Sequence, residues 1–305
     1  MTEVSVIIPA YNAADTLPRA IESALDQSVS NIEIIVIDDA SEDSTAQIST
    51  SYDDERVQYV RHTQNRGGSA ARNTGLDHAS GKYISYLDAD DEWKPDKLAK
   101  QLTELKSRSD EWIAAHCKRV FNVSRCQQLA FALSTAIGAK KKGTPKEGGE
   151  DLIKEIFLLN LSTGSSTLLV KRNVVEEIGG FDPSFPRHQD WEFLIRILQQ
   201  GKIAYVDEPL VYKHGTGRPP VETYREGKSR LLSKFSDEVT RLESNGYPVT
   251  HVQHLELTKL YIEEGKLSQG FQRLPICNLG TRELLSVLWY VPAGVSNNLR
   301  NLLSV

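Results

Sequence analysis

Apolar runs and amphipathic stretches alternate through the first third of the chain. The first two runs are rich in β-branched residues, which is typical of a strand covered on both faces in a parallel sheet. The stretches between the runs repeat apolar residues at helical spacing. The predicted strands are residues 4–8, 32–37, 57–60 and 83–87, and the predicted helices are residues 15–27, 43–52 and 69–79. Successive β-α units predict an α/β fold with a mostly parallel, Rossmann-like sheet flanked by helices.

The pattern is mixed after residue 94 and becomes helical near the end of the chain. The sequence predicts helices over residues 94–107, 172–178 and 189–200 and strands over residues 112–123, 166–170, 203–206 and 210–212. Beyond about residue 220 only helical patterns remain, over residues 224–242, 252–264, 282–290 and 296–303. We therefore predict a catalytic domain over residues 1–218, with halves of about 1–110 and 111–218, followed by a C-terminal helical appendage over residues 219–305.

The composition narrows the class of protein. Of 305 residues, 39% are apolar and 25% are charged, which is typical of a folded globular protein. The 36 basic and 41 acidic side chains give a net charge of −5, which indicates no nucleic-acid partner. The three cysteines form no C-x-x-C pair, so a reducing compartment is favoured over a zinc site or a disulfide framework. Because the N-terminal segment lacks the basic region and cleavage site of a signal peptide, we expect a cytoplasmic protein.

Candidate ligand-binding residues follow three of the predicted strands, at the edge where ligands bind in open α/β sheets. They are Pro9, Ala10, Tyr11 and Asn12 after the first strand, Asp38 and Asp39 after the second, and Asp88, Ala89, Asp90 and Asp91 after the fourth. Three carboxylates within one turn repel one another unless a divalent cation or a sugar hydroxyl lies between them. We therefore predict a Mn²⁺ or Mg²⁺ site here, and the alternative is a solvated acidic turn leading into the next helix.

A glycine-rich turn, NRGGSAARNTG at residues 65–75, opens the third predicted helix. The glycines alone are a weak phosphate signal, since the chain has neither G-x-G-x-x-G after the first strand nor a Walker A lysine. Arg72, one turn inside the helix, is the stronger candidate for a ligand contact. Asp39 is a candidate for accepting hydrogen bonds from a nucleobase or a ribose, while Asp43 is predicted to cap the following helix.

Five segments in this order resemble the inverting family 2 glycosyltransferases, which have the GT-A fold. They are VSVIIPAYN, IEIIVIDDASEDST, NRGGSAARNTG, YISYLDADDEW and GGFDPSFPRHQDWEFLIRI, and the likeness covers about residues 3–215. The resemblance implies that Pro9, Ala10, Tyr11, Asn12, Asp39 and Arg72 line a nucleotide pocket. It also implies that Asp88, Ala89 and Asp90 bind the nucleotide-sugar donor, with Asp88 and Asp90 holding ribose and metal.

The same resemblance gives a role to Asp190, which its sequence context alone would make a helix cap. The matching acid in the family is the general base and usually follows a Glu, where this chain has Gln189. The base is kept, while an acidic neighbour that bears on acceptor contacts is lost. A helix N-terminus favours the ionised carboxylate that a base requires.

His214 and Arg218 follow the last predicted strand. His214 is predicted to complete the metal shell or to touch the diphosphate, and the alternative is a structural or solvent-facing histidine. Arg218 is a further candidate for a diphosphate contact.

Together these residues predict a metal-dependent inverting glycosyltransferase. It would move a sugar from a nucleoside-diphosphate donor, with UDP favoured by the family, to a hydroxyl of a glycan or of a lipid-linked glycan. A sugar nucleotidyltransferase is one alternative, but it needs a glycine-rich basic loop where this chain has residues 9–12. A non-catalytic nucleotide-sugar-binding module is the other, and it is disfavoured because the acidic cluster and Asp190 are both present.

The end of the chain bears on the acceptor. Apolar residues recur there beside two arginines, namely Leu284, Leu285, Leu288, Trp289, Val291, Leu299, Leu302 and Leu303 with Arg282 and Arg300. This pattern fits helices in peripheral contact with the cytoplasmic face of a membrane. Packing on the catalytic domain or on a second copy in a homo-oligomer explains the pattern equally well. The longest apolar stretch, residues 284–295, is too short and too interrupted to span a membrane.

Overall fold

The computed structural model describes residues 2–122, 146–161, 163–214, 219–274, 280–292 and 295. The strands are β1 Val4–Ala10, β2 Ile32–Asp38, β3 Val57–Arg61, β4 Tyr83–Tyr86, β5 Asp91–Trp93, β6 Trp112–Asn122, β7 Leu168–Lys171 and β8 Lys202–His214. The helices are α1 Leu17–Leu25, α2 Thr45–Thr50, α3 Gly68–His78, α4 Lys97–Lys106, α5 Asp151–Phe157, α6 Arg172–Glu177, α7 Gln189–Leu198, α8 Val221–Lys234, α9 Ser236–Ser244, α10 Val249–Glu263, α11 Leu267–Gln272 and α12 Thr281–Leu288. All eight strands belong to one sheet, in the order β3-β2-β1-β4-β7-β6-β8-β5.

The first four strands lie parallel, within two residues of their predicted ends. Every residue of β2 and β4 is buried, as expected for strands covered by helices on both faces. The register places Ala10 beside Asp38 and Ile7 beside Tyr86. The segments that follow β1, β2 and β4 therefore leave the sheet at the same edge.

The second half of the sheet is mixed. Strand β7 pairs antiparallel with both β4 and β6, β6 pairs parallel with β8, and β5 pairs antiparallel with β8. Four of the seven pairings are parallel, so the mostly parallel α/β sheet flanked by helices is confirmed. The antiparallel strands extend the sheet beyond β4 and carry the acceptor half of the predicted site.

The elements of this half differ from the predicted ones in two respects. Strand β8 is continuous, where two short strands were predicted, because β6 shifts its register at Cys117 and Lys118 so that Pro209 is accommodated opposite Lys118. Strand β5 and helix α5 were not predicted. The three residues of β5 form a strand only through their pairing with β8, and an acidic tripeptide gives no periodic signal of that.

The C-terminal region, over the described residues from 219 to 292, consists of helices α8 to α12 and contains no strand. The predicted helix over residues 224–242 is two helices that meet at the buried Phe235 (φ −111°, ψ 36°). Leu231, Phe235 and Val249 share one hydrophobic cluster with Phe157 and Phe193 of the sheet-containing part. The helices therefore pack on the region that carries the site, and the division at residue 218 stays a prediction. The predicted helix over residues 296–303 lies outside the described residues.

The candidate active site

A cavity of about 500 Å³ lies at the edge where β1, β2 and β4 end. All nine residues predicted to bind the donor line it, namely Pro9, Ala10, Tyr11, Asn12, Asp39, Arg72, Asp88, Ala89 and Asp90. Gln189 also lines the cavity and brings the segment of the predicted base to its wall. The ring of Tyr11 is 50% exposed, which leaves an aromatic surface beside the cavity.

Hydrogen bonds connect the loop after β1 to the loop after β2. Asn12 has a left-handed backbone (φ 47°), which a short amide side chain tolerates better than a branched one. Its N–H donates to Ser41 Oγ at 2.9 Å, and its Oδ1 accepts from the N–H of Glu42 at 2.9 Å. Asp43 accepts from the N–H groups of Ala14 and of Thr45, each at 3.0 Å, and so ties the start of α2 to this loop.

Asp39 organises the glycine-rich turn. Its Oδ1 accepts from the N–H of Arg66 at 2.8 Å, and its Oδ2 accepts from the N–H of Gly67 at 2.7 Å. The turn needs glycine because Gly67 has φ 84°. His62 Nδ1 lies 2.7 Å from Asp39 Oδ1, and its Nε2 lies 2.9 Å from Thr74 Oγ1. The sequence analysis missed His62, which follows β3 and locks Asp39 onto α3.

Arg72 and Asp88 form a short ion pair inside the cavity wall. Arg72 Nη2 donates to Asp88 Oδ1 at 2.6 Å, and the guanidinium lies 5.1 Å from the ring centroid of Phe181. Burial opposes the charge of Arg72, but Asp88 and Asp190 outweigh burial and raise its pKa. Burial likewise opposes ionisation of Asp88, yet Lys213 and Arg72 hold its pKa well below its usual range. Both charges are therefore present at neutral pH.

Asp88, Asp90 and Asp91 bring one carboxylate oxygen each to within 4.8 Å of one another. We call these three residues the acidic cluster. Asp91 is fully buried, and its Oδ2 accepts from Ser166 Oγ at 2.5 Å and pairs with Lys213 Nζ at 2.9 Å. Burial, followed by the neighbouring Asp88 carboxylate, raises the pKa of Asp91 to about 7. Lys213, which precedes His214 at the end of β8, was not predicted as a site residue from the sequence.

The acidic cluster fits a divalent cation. Asp91 Oδ1 is buried and has no hydrogen-bond partner among the described residues, which is a costly state for a carboxylate oxygen that holds nothing. Carboxylate oxygens are the ligands that Mg²⁺ and Mn²⁺ prefer, and Mg²⁺ sites commonly use one or two carboxylates together with substrate phosphates. His214 is not part of this group, and its Nε2 lies 3.0 Å from Glu92 Oε2. Its role in metal binding stays a prediction, and Arg218 lies outside the described residues.

Asp190 lies in the first turn of α7, next to Gln189 in the cavity wall. Its Oδ1 is buried and has no hydrogen-bond partner among the described residues. A Cβ atom built on Gly164 would lie 3.5 Å from Asp190 Oδ2 and 2.8 Å from Arg119 Nη1, so both side chains border this glycine. Asp190 acts electrostatically on Arg119 and also on Arg72. The carboxylate of the predicted base is thus set among cations with one oxygen uncommitted.

Arg119 is a third residue near the site that was not predicted from the sequence. It lies on β6, and its Nε is buried without a hydrogen-bond partner among the described residues. Burial lowers its pKa, while Asp190, Asp91 and Asp88 act in the opposite direction. Arg119 lies two residues after Cys117 on β6, so strand alternation weakly indicates that both side chains point to the same face. The register shifts of β6 obscure this pattern.

A mostly parallel sheet with a cavity at the carboxyl ends of its strands is the arrangement in which open α/β folds bind ligands. Residues 5–137 match the family model described as Glycosyl transferase family 2. The chain is 34% identical over 208 residues, 66% of its length, to the putative teichuronic acid biosynthesis glycosyltransferase TuaG of Bacillus subtilis (strain 168), of which it covers 74%. It is 31% identical over 239 residues, 76% of its length, to the amylovoran biosynthesis glycosyltransferase AmsB of Erwinia amylovora, of which it covers 75%. The chain belongs to glycosyltransferase family 2.

Solved structures share the fold. The S. aureus TarS fragment 1–349 in complex with UDP-GlcNAc superposes with a TM-score of 0.56 at 15% identity, covering 98% of this chain and 92% of that one. The mannosyltransferase PcManGT from Pyrobaculum calidifontis, in complex with GDP-Man and Mn²⁺, superposes with a TM-score of 0.58 at 19% identity, covering 97% and 87%. The fold is therefore the GT-A fold that the sequence predicts. Among the described residues, no helix is long and apolar enough to cross a membrane.

Proposed function

We propose that this enzyme is an inverting glycosyltransferase that uses a nucleoside-diphosphate sugar and that Asp190 is its general base. The observation that carries the proposal is the convergence on one cavity of the nine predicted donor residues with the segment of Asp190. These residues come from segments more than 170 positions apart in the sequence. The predicted donor residues thus line one cavity with the neighbour of Asp190, and Asp190 Oδ1 has no hydrogen-bond partner among the described residues.

In the proposed reaction, Asp190 accepts the proton of an acceptor hydroxyl as that oxygen attacks the anomeric carbon of the donor. The new bond forms on the face opposite the diphosphate, and the bond from the anomeric carbon to the diphosphate oxygen breaks with both electrons leaving on the diphosphate. Configuration at the anomeric carbon is inverted. Arg72 lies at the cavity wall, where its fixed positive charge would stabilise the phosphate oxygens.

Asp88 and Asp90, together with Asp91, would hold a divalent cation in the acidic cluster. Such a cation, Mn²⁺ or Mg²⁺, neutralises charge on a departing diphosphate when bound. One structural neighbour was solved in complex with GDP-Man and Mn²⁺, and this supports the proposal for the present chain.

The donor and acceptor are proposed from the relatives. Neighbours with the same fold bind UDP-GlcNAc or GDP-Man, so uridine and guanosine donors are the first to test, with UDP preferred. Relatives named for teichuronic acid and amylovoran biosynthesis support a glycan or lipid-linked glycan acceptor in polysaccharide assembly.

The test separates donor binding from turnover. Thermal unfolding with UDP-, GDP- and TDP-sugars, with and without Mn²⁺, identifies the donor without knowledge of the acceptor. Release of the nucleoside diphosphate, with water as acceptor, then measures turnover. Asp190→Asn is expected to keep the thermal shift and to lose turnover by about 100-fold or more.

A matched control is Asp237→Asn, which removes the same carboxylate from the first turn of the exposed helix α9. It is expected to retain the turnover of the wild type. Retained turnover in Asp190→Asn would remove Asp190 from the role of base. A flat thermal response to every donor at saturating concentration would count against the donor site as a whole.

A further inference from the structure

Lys213 lies inside the acidic cluster. Its Nζ is 3.2 Å from Asp88 Oδ2 and 2.9 Å from Asp91 Oδ2, so the ammonium bridges two of the three carboxylates. The position is fixed by the backbone, because β5 and β8 pair antiparallel with Asp91 directly opposite Lys213. The side chain of Lys213 is 22% exposed and that of Asp91 is fully buried. The bridge is therefore set by strand pairing rather than by a mobile surface lysine.

The charges of the acidic cluster, Arg72 and Lys213 almost balance when no ligand is bound. Three carboxyl groups face the guanidinium of Arg72 and the ammonium of Lys213, which leaves at most about one net negative charge. A divalent cation alone would make the group net positive and would lie close to the Lys213 ammonium. A diphosphate alone would add two negative charges to a group that is already negative. When both bind, the original balance returns, because their charges cancel.

We propose that Lys213 is an internal cation that competes with the metal in the free enzyme and moves to the diphosphate when donor and metal bind together. This inference rests on the proposed function, since it takes the acidic cluster as the metal site and a nucleoside diphosphate as the ligand. Lys213 then has opposite effects on the binding of two ligands. Lys213 weakens the binding of a divalent cation alone, and it strengthens the binding of a nucleoside diphosphate alone.

The experiment measures each ligand separately on the full chain. Free Mn²⁺ is counted by electron paramagnetic resonance during titration of the wild type and of Lys213→Met in the absence of nucleotide. Lys213→Met is expected to bind Mn²⁺ about 10-fold more tightly or better, because a unit charge a few ångströms from the metal is removed. In EDTA, the thermal stabilisation by UDP or GDP is expected to shrink in Lys213→Met.

Two further variants keep the test sharp. Lys213→Arg retains the cation and is expected to resemble the wild type in Mn²⁺ binding. Lys94→Met is the matched control. Lys94 directly follows β5, and its Nζ lies 5.4 Å from the centroid of the Tyr212 ring. This variant is expected to change neither ligand. Thermal unfolding without ligand verifies that each variant is folded.

The outcomes separate this inference from the proposed function. Mn²⁺ binding that is unchanged, weaker or absent in Lys213→Met overturns the inference. A loss of affinity for both ligands assigns Lys213 a structural role and overturns it as well. If neither nucleotide stabilises the wild type, the proposed donor fails, while the Mn²⁺ comparison still decides whether Lys213 competes with metal.

Discussion

Asn73 and Phe181 form a closed pair of hydrogen bonds. Asn73 Nδ2 donates to the carbonyl oxygen of Phe181 at 2.8 Å, and the N–H of Phe181 donates to Asn73 Oδ1 at 2.8 Å. Asn73 follows Arg72 on α3, whereas Phe181 belongs to the segment that leads to Asp190. The two halves of the proposed site are thus joined one residue away from the arginine that pairs with Asp88.

Replacement of Asn73 by alanine should loosen that joint. Two part-buried backbone groups of Phe181 lose their partner, so we expect a loss of about 1–3 kcal/mol in the free energy of unfolding. Turnover should fall while the donor still raises the melting temperature, because the base segment shifts and the donor loops do not. Urea unfolding and nucleotide release measure the two effects. Asn245→Ala, which loses one surface bond to the Arg241 carbonyl, should change stability by less than about 0.5 kcal/mol.

Arg119 provides a second prediction, since its guanidinium borders Gly164 together with Asp190. Arg119→Ala should lower kcat by about 10-fold or more, because a preorganised cation beside the reacting groups is lost. Arg119→Lys should recover part of the rate, which a purely packing role would not allow. Arg230→Ala, on the exposed face of α8, should leave kcat unchanged. An effect of Arg119→Ala on KM alone would make Arg119 a ground-state binding residue instead.

Stability should decline in mild acid because of His116. The ring is buried, its Nε2 donates to the Lys146 carbonyl oxygen at 2.6 Å, and its Nδ1 has no partner among the described residues. Burial lowers the pKa of His116 to about 4, below its ordinary value of 6.5. The unfolded chain therefore takes up the proton first as the pH falls, and stability is lost between pH 6.5 and pH 4.

From this one group we expect a loss of about 2 kcal/mol between pH 7 and pH 5. Urea unfolding of the wild type and of His116→Gln at both pH values checks it. The glutamine amide can still donate to the Lys146 carbonyl and carries no titrating group. The variant should lose less stability than the wild type, and an equal loss would assign the acid sensitivity to other residues.

Helix α12 buries Val287 completely, while Leu284, Leu285 and Leu288, together with Trp289 directly after the helix, are 39–53% exposed. Peripheral contact with a membrane surface is one of the two predictions that the sequence makes for this face. The double variant Leu285→Glu with Leu288→Glu should then co-sediment less with vesicles of phosphatidylethanolamine and phosphatidylglycerol. Phe271→Glu on α11 changes one exposed aromatic residue elsewhere and serves as the control.

The double variant also distinguishes a membrane surface from a second copy of the chain as the partner of this face. Unchanged vesicle binding together with a smaller sedimentation coefficient would assign the face to a homo-oligomer. No vesicle binding by the wild type would reject the membrane contact directly.

Sequence patterns were sufficient for β1 to β4, because these segments are short, rich in β-branched or aromatic residues and separated by amphipathic helical stretches. They were insufficient for β5, whose three residues are a strand only because β8 lies beside them. The same distinction applies to the site. The loops after β1, β2 and β4 could be predicted because strand ends in a parallel sheet meet at one edge.

Lys213, Arg119 and His62 could not be predicted in the same way. Each reaches the site from an element distant in sequence, and its direction depends on register rather than on local spacing. Lys213 faces Asp91 through a cross-strand pairing that forms only when β8 continues past Pro209. An isolated lysine before a histidine carries no trace of that pairing.

The contact between α8 and Arg187 has an evolutionary consequence. A Cβ atom on Gly227 would lie 2.6 Å from the carbonyl oxygen of Arg187, three residues before Asp190, and Lys228 lies over the Trp191 ring at 5.4 Å. Recombination that exchanges the C-terminal helices between relatives would also replace α8, which packs against the segment that carries Asp190. The helices are therefore not an interchangeable cassette, because α8 packs directly on the segment that carries Asp190.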